Sequence, residues 1–159
     1  MDTVSTLIGL GLLALFMLPV LYLIWQQNNK EKNRLKNLKN ISAQNNLNAD
    51  TFEVSANLLL GLDTKANKLL IVEPTNNMQH KILDLTKVKS STVNSCTFPE
   101  NNKLIKSVSL DISESKKHQK LTKIIFYDED SNENERNNAS ESLVIARKWQ
   151  RIINEKLSA

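Results

Sequence analysis

Apolar and polar positions divide the chain into three regimes. From Leu7 to Trp25 it reads LIGLGLLALFMLPVLYLIW, and no charge occurs between Thr3 and Asn29. At about 1.5 Å per residue such a run reaches roughly 28 Å, close to the hydrocarbon thickness of a bilayer, which predicts a transmembrane helix over 7–25. Pro19 is compatible with this, because transmembrane helices satisfy a freed carbonyl through neighbours and local adjustment. Tyr22 and Trp25 fall at the downstream end, where amphipathic rings settle at headgroup level. From 26 to 50 the chain is polar, with Leu35, Leu38 and Ile41 at a spacing of three that suits a short helical stripe continuing the membrane helix. Two turns are too few to define a coiled coil, which needs several heptads.

Beyond Thr51 the pattern changes to short alternating runs. Asn57–Leu62 and Lys68–Glu73, joined by Asp63-Thr64-Lys65-Ala66-Asn67, predict a β-hairpin. Pro74-Thr75-Asn76-Asn77 turns the chain again, since Pro fixes φ and Asn tolerates left-handed geometry. Strands follow over 80–85, over 88–98 with its β-branched Val and Thr, over 104–113 and over 121–127. In the fifth, Leu104, Val108, Leu110 and Ile112 share one face, with Lys106 the exception. Six short strands at this spacing indicate an antiparallel meander curled into a sandwich or a partly open barrel.

One amphipathic helix closes the sequence, over 139–157. Asn138 suits its N-cap and Glu141 the reciprocal capping-box position. Leu143, Ile145, Ala146, Trp149, Ile152, Ile153 and Leu157 fall within about half the circumference, opposite Arg147, Lys148, Arg151, Asn154 and Glu155. Such a stripe must be buried, and the sheet is the surface available to it. The expected architecture is therefore an N-terminal transmembrane α-helix plus a mainly-β domain, its curled antiparallel sheet plugged by a C-terminal amphipathic helix. The predicted organisation is a short extracytoplasmic tail (1–6), the membrane helix (7–25), a basic, polar juxtamembrane linker (26–50) and the β domain (51–159).

Charge sets the orientation. The net charge is +4, but from Asn45 onward sixteen Lys and Arg face fifteen Asp and Glu, so the folded part is close to neutral. The excess is Lys30, Lys32, Arg34, Lys36 and Lys39, opposed by Glu31. Five cations after the span and none before it place the C-terminal side in the cytoplasm of a single-pass membrane protein. Nucleic acid is an unlikely partner, since the domain has no basic face interleaved with aromatics. Asp2, the length of the apolar run and the absence of small residues around Trp25-Gln26-Gln27 argue against a cleaved signal peptide. A cytoplasmic domain also removes Asn40-Ile-Ser42 and Asn138-Ala-Ser140 as glycan sites.

Candidate chemistry is sparse. Cys96 is the single cysteine, which rules out an intrachain disulfide and fits a reducing compartment. Flanked by Ser95 and Thr97, it reads as a small half-buried strand residue. His80 and His118 have no second ligand at metal-site spacing. A Cys96–His80 nucleophilic pair is conceivable in space, but no feature of the sequence orients it. Asp128-Glu129-Asp130-Ser131-Asn132-Glu133 starts like a calcium loop, yet it offers Glu133 where glycine is required and Ala139 where glutamate is required. Phosphate-loop, nucleophile-elbow and zincin motifs are missing. The sequence predicts neither enzyme activity nor a cofactor.

The order of elements resembles the pleckstrin-homology-like fold, especially its small bacterial versions, over about Phe52 to Leu157. The resemblance rests on the hairpin LLLGLDTKANKLLIVE, on Ile125-Phe126-Tyr127-Asp128, and on Trp149 within ARKWQRII. It implies seven strands where six are read. Lipid-binding members carry a Lys followed by a Lys/Arg-x-Arg cluster across the first hairpin. Here Lys65 and Lys68 stand alone before an apolar strand, which does not support phosphoinositide recognition. The leading expectation is a membrane-tethered, non-enzymatic module that binds a protein partner through a strand edge or the mouth opposite the helix. The alternative is an anionic-lipid sensor that uses Lys65 and Lys68 with the juxtamembrane cations, each of which contributes about 1 kcal/mol near a charged surface.

Overall fold

The computed structural model describes residues 3–114, 121–131 and 138–157. His118, Asn132 and Glu133 lie outside this set. The chain divides into two compact units, Met1–Asn37 and Leu38–Ala159. Helix α1 runs Thr3–Gln44 with Pro19 inside it, so its last turns belong to the second unit. In the first unit the side chains from Leu10 to Trp25 are exposed. Among the described residues, α1 is the one helix long and apolar enough to cross a membrane.

The second unit holds two antiparallel sheets. Sheet A has the order β1-β2-β3-β4, built from β1 (Thr51–Val54), β2 (Leu59–Asp63), β3 (Lys68–Glu73) and β4 (Gln79–Asp84). Sheet B has the order β5-β6-β7, built from β5 (Val88–Phe98), β6 (Asn101–Glu114) and β7 (Leu121–Asp128). The sheets do not close into a barrel. A 3₁₀ turn at Leu85–Lys87 joins them, capped where Asp84 Oδ1 accepts from Thr86 N at 3.1 Å.

Helix α2 (Ala139–Leu157) packs on the sheets, with Ala146, Trp149 and Ile153 buried. Asn138 caps it, its Oδ1 accepting from Ser140 N at 3.0 Å. The inner core lies between sheets and helix and includes Leu60, Leu62, Leu69, Ile71, Val108, Leu110, Ile112, Ile124 and Trp149. Trp149 is fully buried, yet its indole N–H donates to Glu53 Oε2 at 3.2 Å. Lys148 Nζ reaches the same oxygen at 2.9 Å. β1 thus supplies the acceptor that a buried indole needs.

A second, smaller core covers the opposite face of sheet A: Leu38, Leu47, Leu59, Leu70 and Val72, with Ile41, Phe52, Val54 and Met78 packed around them. This explains the unbroken apolar reading of β2, all five of whose residues are buried. A strand covered on both faces has no polar side to alternate with.

Three readings of the sequence need correction. There are seven strands, because β1 pairs in register with β2 (Thr51 opposite Leu62, Val54 opposite Leu59). Leu104 is not on the core face but 56% exposed. Cys96 pairs with Ser107 while Thr97 pairs with Ile105, so Lys106 is an extra residue that shifts the phase and turns Ile105 toward the core. Cys96 is exposed rather than half-buried, because it lies on the outer face of sheet B.

Candidate functional site

The cations and rings singled out in the sequence fall in three places. Tyr22 and Trp25, one turn apart on α1, have ring centroids 6.5 Å apart. Lys30, Lys32 and Lys36 are exposed on the same helix, and Arg34 is half-buried and engaged. Lys39 belongs to the second unit, where its Nζ sits 5.5 Å from the centroid of the Phe52 ring, within cation–π range.

Lys65 lies in the β2–β3 turn, whose left-handed position is taken by Asn67 (φ 51°), and Lys68 opens β3. Both are exposed, but carboxylates surround them. In register, Lys68 stands opposite Asp63 on β2 and opposite Asp84 on β4. Asp63 Oδ1 accepts from Ala66 N at 2.8 Å and Lys65 N at 3.1 Å, and its Oδ2 accepts from Asn48 N at 2.8 Å. These amides, led by Ala66 and Asn48, hold the Asp63 carboxyl below its usual range. The Thr64 hydroxyl does the same for Asp50, and the Thr86 hydroxyl for Asp84. Three ionised carboxylates beside two lysines leave this end of sheet A without a cationic field.

The Cys96–His80 pair does not come together. His80 Nε2 lies 3.4 Å from Asn45 Nδ2 on sheet A, whereas Cys96 is on sheet B, and no hydrogen bond joins the two. No group of three or more potential metal ligands comes together among the described residues. Tyr127 is pushed up to about 12 by its hydrogen bond to Glu129, which makes it a poor proton donor at neutral pH.

What the fold does leave exposed is a row of side chains on an edge strand. On β7, Thr122, Ile124 and Phe126 point into the core, so Leu121, Lys123 and Ile125 face outward, with the two apolar members 61% and 50% exposed. Their neighbours on β6 are Ser113, Asp111 and Ser109. The opposite edge of the sheet differs: Gln150 Nε2 donates to the Ser91 carbonyl at 3.0 Å, and Ser91 Oγ donates to Asn154 Oδ1 at 2.7 Å. Helix α2 thereby occupies β5 at Ser91, while β7 keeps its outward row exposed. The row was legible only as the alternation of LTKIIFY, which does not say which face meets solvent. No family model, curated protein or solved structure matches this chain.

Proposed function

We propose that this protein is a single-pass, membrane-tethered interaction module without enzymatic activity. In this reading α1 crosses the cell membrane through residues 7–25, and the second unit is a pleckstrin-homology-like domain on the cytoplasmic side. The observation that carries the reading is the run of exposed apolar side chains from Leu10 to Trp25 within one continuous helix, which requires a nonpolar environment. The orientation rests on the cations after the span. The fold assignment is supported by the seven strands followed by a C-terminal helix, the number and order of elements that the resemblance implies. Residues 26–37, at no more than about 3.5 Å each, keep the domain close to the bilayer, and this raises its effective concentration toward other membrane proteins.

The contact surface in this reading is the β7 row, Leu121, Lys123 and Ile125, and the partner is a protein. The lipid-sensor alternative draws on Lys30, Lys32 and Lys36, exposed on α1. The carboxylates around Lys65 and Lys68 count against a lipid role for that turn. The test is crosslinking and capture in native membranes. The full chain is compared with a version lacking 1–29 and with Leu121→Asp/Ile125→Asp. Specific partners lost in both altered proteins support the module. Capture that is indifferent to both changes refutes it. Salt-sensitive binding of the full chain to anionic vesicles, abolished by neutralising Lys30, Lys32 and Lys36, would favour the lipid sensor.

A further inference from the structure

The second core has an unusual relation to the first. The two clusters share no residue and lie on opposite faces of the same strands: Leu60, Leu62, Leu69 and Ile71 face inward, and Leu59, Leu70 and Val72 face outward. What covers the outward face is the end of α1, through Leu38, Ile41 and Leu47. Gly61 lies beneath it. A Cβ at that position would meet Ala49 Cβ at 3.4 Å and Leu38 Cδ1 at 3.7 Å, ordinary contact distances, so the cover lies directly on β2 and a side chain larger than alanine would push against it.

The covering segment satisfies its own polar groups. Leu47 N donates to the Ser42 carbonyl at 2.9 Å, and Asn46 N donates to the Ala43 carbonyl at 3.0 Å, with Asn46 left-handed at φ 56°. This is a Schellman stop, with Leu47 folded back into the cluster that Ile41 also joins. Ser42 Oγ donates to the Leu47 carbonyl at 2.9 Å, and Asn45 Nδ2 donates to the Ile41 carbonyl at 2.8 Å. The backbone ties to the sheet gather just after it, where Asn48 N reaches Asp63 and Asp50 N donates to the Leu62 carbonyl. Two side-chain contacts, Asn45 Nδ2 to His80 Nε2 at 3.4 Å and Lys39 over the Phe52 ring, also reach the sheet and must break, but a segment whose backbone groups are satisfied within itself can leave as a unit without orphaning backbone donors.

We propose that residues 38–47 are a lid, hinged at Asn48–Asp50, that opens from sheet A while the inner core stays closed. Opening exposes Leu59, Leu70 and Val72. The lid is the end of α1, the helix that carries the apolar run, and its membrane setting rests on the reading proposed above.

The test uses the full chain in lipid nanodiscs with Cys96→Ser, and a water-soluble thiol reagent that reads opening at one buried cysteine at a time. Val72→Cys reports the outer face and Val108→Cys the inner core. The lid predicts that Val72→Cys is labelled at least on the order of 10-fold faster, with little dependence on urea. It also predicts an asymmetry. Ile112→Val, which loosens only the inner core, should speed Val108→Cys labelling by roughly 5-fold and leave Val72→Cys unchanged. Leu38→Val, a mild truncation of the lid, should speed Val72→Cys labelling. Equal rates, or an Ile112→Val effect of the same size at both sites, would mean that the two clusters open together and that there is no lid.

Discussion

The outer faces of the two sheets have opposite characters. Sheet A presents Phe52, Val54, Leu59, Leu70 and Val72, and the end of α1 covers them. Sheet B presents Ser90, Thr92, Asn94 and Cys96 from β5, and Ser109, Asp111 and Ser113 from β6, with Asn94 Nδ2 bonded to Asp111 Oδ2 at 2.7 Å. One face is apolar because the chain supplies a cover for it. The other is mostly polar, and among the described residues it turns apolar at Leu104 on β6 and at Leu121 and Ile125 on the edge strand β7. An antiparallel sheet needs only one buried face. Sheet A has two, and the second depends on residues that precede the β domain in sequence.

The sharpest way to break this comparison is Leu38→Ala. It removes a fully buried side chain from the apolar face and should cost about 3 kcal/mol in a urea titration of the full chain in detergent. Gly61→Val should cost less, on the order of 2 kcal/mol, by forcing the helix end away from β2. Asn46→Val places a β-branched residue in the left-handed position and should cost about 1–2 kcal/mol, while Asn46→Gly should be close to neutral. At the small end, Thr92→Ala on the outer face of sheet B should stay within about 0.5 kcal/mol. If Leu38→Ala and Thr92→Ala have equal effects, the two faces are equivalent and the comparison fails.

Acid sharpens the same contrast. Asp50, Asp63 and Asp84 all titrate below their ordinary values because hydroxyl and amide donors favour the ionised form. A depressed carboxyl contributes stability that is complete above its unfolded value, near pH 4, and is lost as pH falls through the folded value. Unfolding titrations should therefore show stability that is flat with respect to these groups down to about pH 5 and falls below about pH 4. Amide exchange should show the β2–β3 turn loosening first, and Asp63→Asn should flatten the slope.

Much of the fold was legible because its punctuation is local. Asp63–Asn67 and Pro74–Asn77 mark turns wherever the chain stands, and the stripe around Trp149 can only face a core. What escaped depends on pairing. Thr51–Val54 is half-buried throughout and its alternation covers only four residues, too short to stand out, so its register with β2 identifies it as a strand. The bulge at Lys106 inverts the face of Leu104, and nothing in LIKSVSLDIS signals an extra residue. The neutral surroundings of Lys65 and Lys68 come from Asp50 and Asp84, which approach only when β1 and β4 join the sheet. The stop at Asn45-Asn46-Leu47 did carry a signal, since Asn can take the left-handed C′ position and a following Leu can fold back.

The claim on which the account rests is that the folded domain includes the end of its own long N-terminal helix. The direct measurement is chemical unfolding of two soluble fragments, 38–159 and 51–159, with amide exchange followed through β2 and β3. The account predicts a cooperative transition for 38–159. For 51–159 it predicts a loss on the order of 4 kcal/mol, weakened protection of β2 and β3, and an apolar face that binds hydrophobic dye. If 51–159 unfolds at the same denaturant concentration with the same protection, sheet A does not need the helix and the claim is wrong.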